Sequence, residues 1–99
     1  MNRVDVLDRL RSNRAELIKL GARRLFLFGS VARDEATADS DVDLLVEPAS
    51  ERFSLFDLLR LQDQCSRVLG QVVEIHDFRG LDRAAKFRNQ ISSDLINVF

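Results

Sequence analysis

The segment Asp41-Val42-Asp43-Leu44-Leu45-Val46 reads as a buried strand that nevertheless opens on two acids. A carboxylate taken out of water without a partner is costly, so the pair needs a physical reason to be there. Side chains alternate along a strand, which sends Asp41 and Asp43 to one face and Val42 and Leu44 to the other. Carboxylates that converge in this way raise each other's pKa unless a cation lies between them. A hard divalent ion with oxygen ligands is the natural one. The bland counterpart is a pair of acids capping a strand end in solvent.

Glu74 sits in a second β-branched run, Val72-Val73-Glu74-Ile75, with Val73 and Ile75 on the face opposite to it. If the two strands pair in register, Glu74 joins Asp41 and Asp43 in a triad. Such a triad can cradle two Mg²⁺ ions about 4 Å apart, the arrangement that steers an in-line phosphoryl displacement. Otherwise Glu74 is an exposed acid on an edge strand. Phe28-Gly29-Ser30 supplies the complementary half. A glycine at a strand-to-helix turn lets backbone N–H groups approach phosphate oxygens, and Ser30 adds a hydroxyl where anions are favoured. Arg33, one turn further on, is a candidate to hold a phosphate or the leaving group, and otherwise a solvated arginine. His76 shares the Glu74 face by strand parity and could reach the site, although a lone histidine near a strand end is more often structural. Asp34, Glu35 and Asp39 read as loop charges. Arg79, Arg83, Lys86 and Arg88 read as the wet side of a last helix before they read as a surface for an acidic partner.

These groups must be positioned by a regular framework. Val4, Leu7, Leu10, Leu17 and Leu20 recur near helical spacing and predict an amphipathic helix closed by Gly21. Leu25 to Phe28 is a short apolar run suited to a strand covered on both faces. Ser30 to Asp34 suits a short helical turn, Glu35 to Ser40 a surface loop, and Val42 to Val46 the next strand, ended by Pro48. Ser54 and Asp57 form a capping box signature, with a Phe53/Leu58 staple, for a helix running to about Leu69 and closed by Gly70. Its expected core stripe is Leu55, Leu58, Leu59, Cys65 and Leu69, with Cys65 as packing. Val72 to Ile75 gives the third strand, and a helical segment is expected from about Leu81 onward. The order is α-β-α-β-α-β-α. The expected fold class is α/β (α+β), a small mixed β-sheet of three or more strands with helices packed on it. The Val42 and Glu74 strands, joined by a full helix, should be parallel neighbours.

Composition narrows the function. With 99 residues, the chain suits a single domain over 1–99 that buries roughly two-thirds of its unfolded surface. Its 45% hydrophobic and 31% charged residues are those of an ordinary globular protein. A net charge of -1 offers no field for nucleic acid or an anionic membrane, so a polymeric nucleic-acid substrate is disfavoured. No 18-residue apolar run and no apolar signal core are present, and the expected location is cytoplasmic. One cysteine and one histidine exclude an internal disulfide and a zinc site of the usual kind, which leaves carboxylates to hold a metal.

Gly29-Ser30, ten residues from Val31 to Ser40, and then Asp41-Val42-Asp43 together resemble the nucleotidyltransferase superfamily that includes DNA polymerase beta. Four stretches look most like the minimal nucleotidyltransferases of prokaryotes: Gly29 to Arg33, Ser40 to Leu44, Ser54 to Leu58, and Leu69-Gly70. The resemblance spans about Leu25 to Ile75. It implies a nucleotidyltransferase fold and Mg²⁺-dependent transfer of AMP from ATP. Asp41, Asp43 and Glu74 would be the catalytic and metal-binding acids. Gly29, Ser30, Arg33, Asp41 and Asp43 would contact the nucleotide. Glu74 departs in type, since the family's third acid is usually aspartate.

In that family such short chains are commonly encoded beside a HEPN-domain toxin, an RNase, and act as its antitoxin. The resemblance therefore implies a heteromeric partnership with a HEPN toxin and AMP transfer to one of its tyrosines. This chain has no tyrosine, so such an acceptor must come from another protein. Its length also leaves no room for the acceptor-binding domain of larger antibiotic-modifying relatives. Two alternatives stand beside this reading: neutralisation of the partner by binding alone, and transfer to a small molecule such as an aminoglycoside.

Overall fold

The structure is a computed structural model that describes residues 1–37, 39–83 and 94–99. Its elements are α1 (Arg3–Ser12), α2 (Arg14–Lys19), β1 (Ala22–Phe28), α3 (Gly29–Ala32), β2 (Val42–Pro48), α4 (Leu55–Leu69), β3 (Val73–Asp77), a 3-10 helix (Phe78–Arg83) and β4 (Ile96–Asn97). The four strands form one mixed sheet in the order β3-β2-β1-β4. β1 runs antiparallel to β2 and β4, whereas β2 and β3 are parallel. The expected class and the parallel pair joined by a full helix are both realised.

Alternation along the strands separates two faces. Leu25 and Leu27 of β1, Val42, Leu44 and Val46 of β2, and Val73 and Ile75 of β3 enter the main core with Val6, Leu10 and Leu17 from the N-terminal helices and Leu61, Cys65 and Leu69 from α4. On the other face a small cluster of Phe28 and Leu45, with Phe26 and Leu95 packed against it, is the apolar part. β1 is buried on both faces, Leu25 and Leu27 at 0% exposure on one and Phe28 at 7% on the other. That second face is where Asp43, Glu74 and His76 emerge.

Four expectations are corrected in detail. The N-terminal segment is two helices, because Asn13 ends α1 and starts α2, its side-chain amide donating to the Arg9 carbonyl at 2.8 Å. Val6 is fully buried while Val4 is 60% exposed, so the buried stripe runs through Val6, Leu10 and Leu17. On α4, Leu61 is buried whereas Leu55 and Leu59 are 67% and 49% exposed. At roughly 100° per residue, a stripe centred near Cys65 includes Leu61 and leaves Leu59 about 120° round the helix from that cysteine. The C-terminus also differs: β4 adds a strand beside β1 that no apolar pattern announced, held at the edge by Arg11, which donates to the Val98 and Asn97 carbonyls at 2.8 and 3.0 Å. The expected last helix falls mostly on residues 84–93, outside the described residues.

The helix signals hold. Ser54 accepts from the Asp57 N–H and the Asp57 carboxylate accepts from the Ser54 N–H at 2.8 Å, which pulls the Asp57 pKa down. Gly70 closes α4 in the left-handed conformation at φ 65°, and Gly21, at φ 106°, follows α2. Phe53 is buried and Leu58 packs against the same core. Burial pushes the Cys65 thiol up to about 12, consistent with a packing role. Among the described residues no helix is long and apolar enough to cross a membrane.

The revised stripe makes a direct prediction. Leu61→Ala should cost about 2–5 kcal/mol of stability, the range for a truncated core leucine, and Leu55→Ala less than about 0.5 kcal/mol. Urea unfolding of the two variants measures both; equal losses would put the core boundary of α4 elsewhere.

Candidate active site

β2 and β3 set the site by register. Asp43 lies directly opposite Glu74, and Leu45 opposite His76, so Asp43, Glu74 and His76 share one sheet face. One ligand atom from each of these three residues lies within 4.8 Å of the other two. The edge strand is held from outside by α4, since the Gln62 side-chain oxygen accepts from the Ile75 N–H at 3.0 Å. That bond falls on the backbone between Glu74 and His76. The register on which the acid pair depended is therefore present.

β1 brings Gly29 to the same place. Phe28 pairs with Asp43 across the antiparallel ladder, and the chain turns at Gly29 with φ 78°. A Cβ at that position would run into the Asp43 carboxylate. Both the positive φ and the close approach demand glycine there. Ser30 follows within α3, and its carbonyl accepts from the Glu35 N–H at 2.8 Å, tightening the turn.

Asp41 occupies a different position from its neighbour. It lies one residue before β2, exposed, and lines an open cleft of about 520 Å³ with Ser66, Gly70, Gln71 and Val72. Its charge reaches Asp43, but its carboxylate is not one of the three convergent ligand groups. Arg33 is engaged by acids, donating to Asp94 at 2.8 Å and Glu35 at 3.0 Å. Asp94 foremost, then Glu35, pushes its pKa up. Nothing local in the sequence announced Asp94, which lies 61 positions away. His76, read as structural, instead stands with the acids: its Nε2 is 3.7 Å from Glu74 Oε1, and its ring tilts against Phe28 with centroids 5.5 Å apart. The signal for it was the i, i+2 spacing from Glu74.

Burial first, and then the adjacent Glu74 charge, pushes the Asp43 pKa above its ordinary 3.8, with a smaller push from Asp41; His76 and Arg33 pull the other way. The ionised carboxylate is thus held where its charge is unfavourable. Two carboxylates and an imidazole form a donor set that a divalent cation would satisfy. The residues present fit such an ion.

A sheet face bearing paired acids beside a glycine turn is suited to holding a cation and a phosphate. Residues 7–97 match the family model described as nucleotidyltransferase domain, and the chain belongs to that family of nucleotidyltransferases. It is 40% identical over 72 residues to MJ0435 of Methanocaldococcus jannaschii, named as a candidate protein adenylyltransferase, covering 73% of this chain and 76% of that one. A solved structure of a candidate minimal nucleotidyltransferase superposes with a TM-score of 0.73 at 39% identity, covering 97% of this chain and 95% of its own. A chain from the complex of tri-AMPylated Shewanella oneidensis HEPN toxin with MNT antitoxin superposes with a TM-score of 0.60 at 19% identity, covering 89% and 70% of the two chains. That last likeness is one of fold.

The Asp43 penalty has a measurable sign. Below the ordinary carboxyl value the group is protonated folded and unfolded and costs nothing; above the raised folded value the full penalty applies. In EDTA, Asp43→Asn should therefore melt at a higher temperature than the parent chain at pH 7, and the gap should close as the pH falls towards 3.8. A variant that melts lower at pH 7 would show the carboxylate to be stabilising instead.

Proposed function

We propose that this chain is a Mg²⁺-dependent protein adenylyltransferase that transfers AMP from ATP to a tyrosine hydroxyl of a partner HEPN toxin and so acts as its antitoxin. The observation that carries the reading is the register pair Asp43–Glu74 set against the Gly29 turn. The named relative supports adenylyl transfer, and the toxin–antitoxin complex of like fold supports the kind of partner.

In this reading the Gly29-Ser30 turn receives the triphosphate at its backbone N–H groups and the Ser30 hydroxyl, while the missing Cβ leaves room for the Asp43 carboxylate beside it. Asp41, Asp43 and Glu74 would hold Mg²⁺, two ions in the full arrangement. Held by those acids, such an ion would supply charge neutralisation for the triphosphate and for the departing pyrophosphate. The acceptor oxygen bonds to the α-phosphorus as the bond to the bridging oxygen of the β-phosphate breaks, and pyrophosphate leaves. Glu74, with its side chain 59% exposed, is open to an acceptor arriving from outside and takes the hydroxyl proton. Arg33 exchanges Asp94 and Glu35 for phosphate oxygens. The chain has no tyrosine, so the acceptor is supplied in trans. The reaction belongs in the cytoplasm, where ATP is available.

One observation favours a second reading. Leu55, Phe56 and Leu59 expose apolar surface on α4, as a chain that neutralises its partner by contact alone would. The test separates the two. With α-labelled ATP, Mg²⁺ and the partner encoded beside it, the chain should label the partner, and Asp41→Ala or Asp43→Ala should abolish the label. An unlabelled authentic partner, with cells still protected by the double aspartate variant, would replace catalysis by occlusion.

A further inference from the structure

We infer that His76 is a third ligand, through a ring nitrogen, to the cation held by Asp43 and Glu74, and that the site consequently prefers Mn²⁺ or a later first-row divalent ion to Mg²⁺. This rests on the metal role given to those two acids above.

The geometry carries it. Glu74 and His76 are two residues apart on β3, so they leave the sheet on one face, and the parallel register sets Asp43 opposite Glu74. The three ligand atoms lie within 4.8 Å of one another. Ligands about 2.0–2.2 Å from a common ion lie at most about 4.4 Å apart, so the set closes with a small rotation of the exposed Glu74 side chain. The Phe28 ring lies against the imidazole, and Gln62 pins the backbone between the two β3 ligands. Both restrict where the ring can go.

The chemistry then sets the preference. Mg²⁺ favours oxygen ligands, retains several waters and demands near-octahedral geometry. Imidazole nitrogen suits the first-row transition ions, whose affinity for mixed nitrogen and oxygen sites rises from Mn²⁺ towards Cu²⁺. Two carboxylates alone would leave a site for a hard cation, and the nitrogen changes its selectivity.

The test uses the full chain with each metal alone. Mn²⁺ binding is followed through the electron paramagnetic resonance of the free ion, Mg²⁺ by competition, and the bound Mn²⁺ is examined by electron spin echo modulation for ¹⁴N coupling. The chain should bind Mn²⁺ more tightly than Mg²⁺ and show one nitrogen. His76→Ala and His76→Gln should each weaken Mn²⁺ at least about tenfold, the scale on which losing even an outer-shell partner is felt. They should leave Mg²⁺ nearly unchanged and remove the nitrogen coupling. Bound Mn²⁺ with no nitrogen coupling in the parent chain would overturn the role of His76 while leaving the acid site intact, and it requires no variant to fold. Failure of the parent chain to bind Mn²⁺ at all would overturn both the inference and the metal role of the acids.

Discussion

The Asp43 carboxylate is held in a position that disfavours its own charge, and the surrounding structure accommodates that one fact. It projects from a strand whose neighbouring positions, Val42 and Leu44 to Val46, are apolar, faces Glu74 across a parallel ladder, and approaches the backbone at Gly29 where any side chain would collide with it. A fold selected for stability alone would place an apolar residue there. The glycine leaves room for that carboxylate, and a cation bound there would offset its charge. Stability given up at one residue is then recovered on binding.

The rest of the chain keeps that arrangement rigid. Because the main core lies on the opposite sheet face, built from Val42, Leu44, Val46, Val73 and Ile75 against the helices, the site face is free to carry polar groups. The β2–β3 crossover depends on α4, whose start is fixed by the Ser54/Asp57 box and whose end is fixed by Gly70. From that helix Gln62 reaches the edge strand, and Leu61, Cys65 and Leu69 share a core with Val73 and Ile75, so the placement of the helix and that of Glu74 and His76 are coupled. Arg33 links the α3 turn to the C-terminal segment through Asp94, tying the turn that carries Gly29 and Ser30 to a part of the chain 61 residues away.

Local chemistry was legible in the sequence, and distant pairing was not. Asp43 and Glu74 could be placed on one face because alternation is a property of each strand by itself, and the parallel pairing followed from the intervening helix. Gly29, Gly70 and the Ser54 cap were readable because a turn or a cap is decided within a few residues. Leu61 is not distinguished in the sequence from Leu55 and Leu59, which have the same hydrophobic character, and only the sheet's position decides which side of α4 is inside. β4 is two residues long, too short for any periodicity, and its pairing with β1 is set by Arg11 and the sheet edge. Asp94 beside Arg33 and His76 beside Asp43 are tertiary neighbours, of which only His76 left a trace in the spacing.

The central claim is that the Gly29-Ser30 turn and the acids of β2 and β3 form one nucleotide site. A crystal structure with Mg²⁺ and an ATP analogue carrying a methylene between its α and β phosphorus atoms tests it most directly. The account predicts the triphosphate over the Gly29-Ser30 turn and a metal ion bonded to Asp43. A nucleotide bound away from that turn, or a triphosphate whose metal Asp43 does not touch, would contradict it.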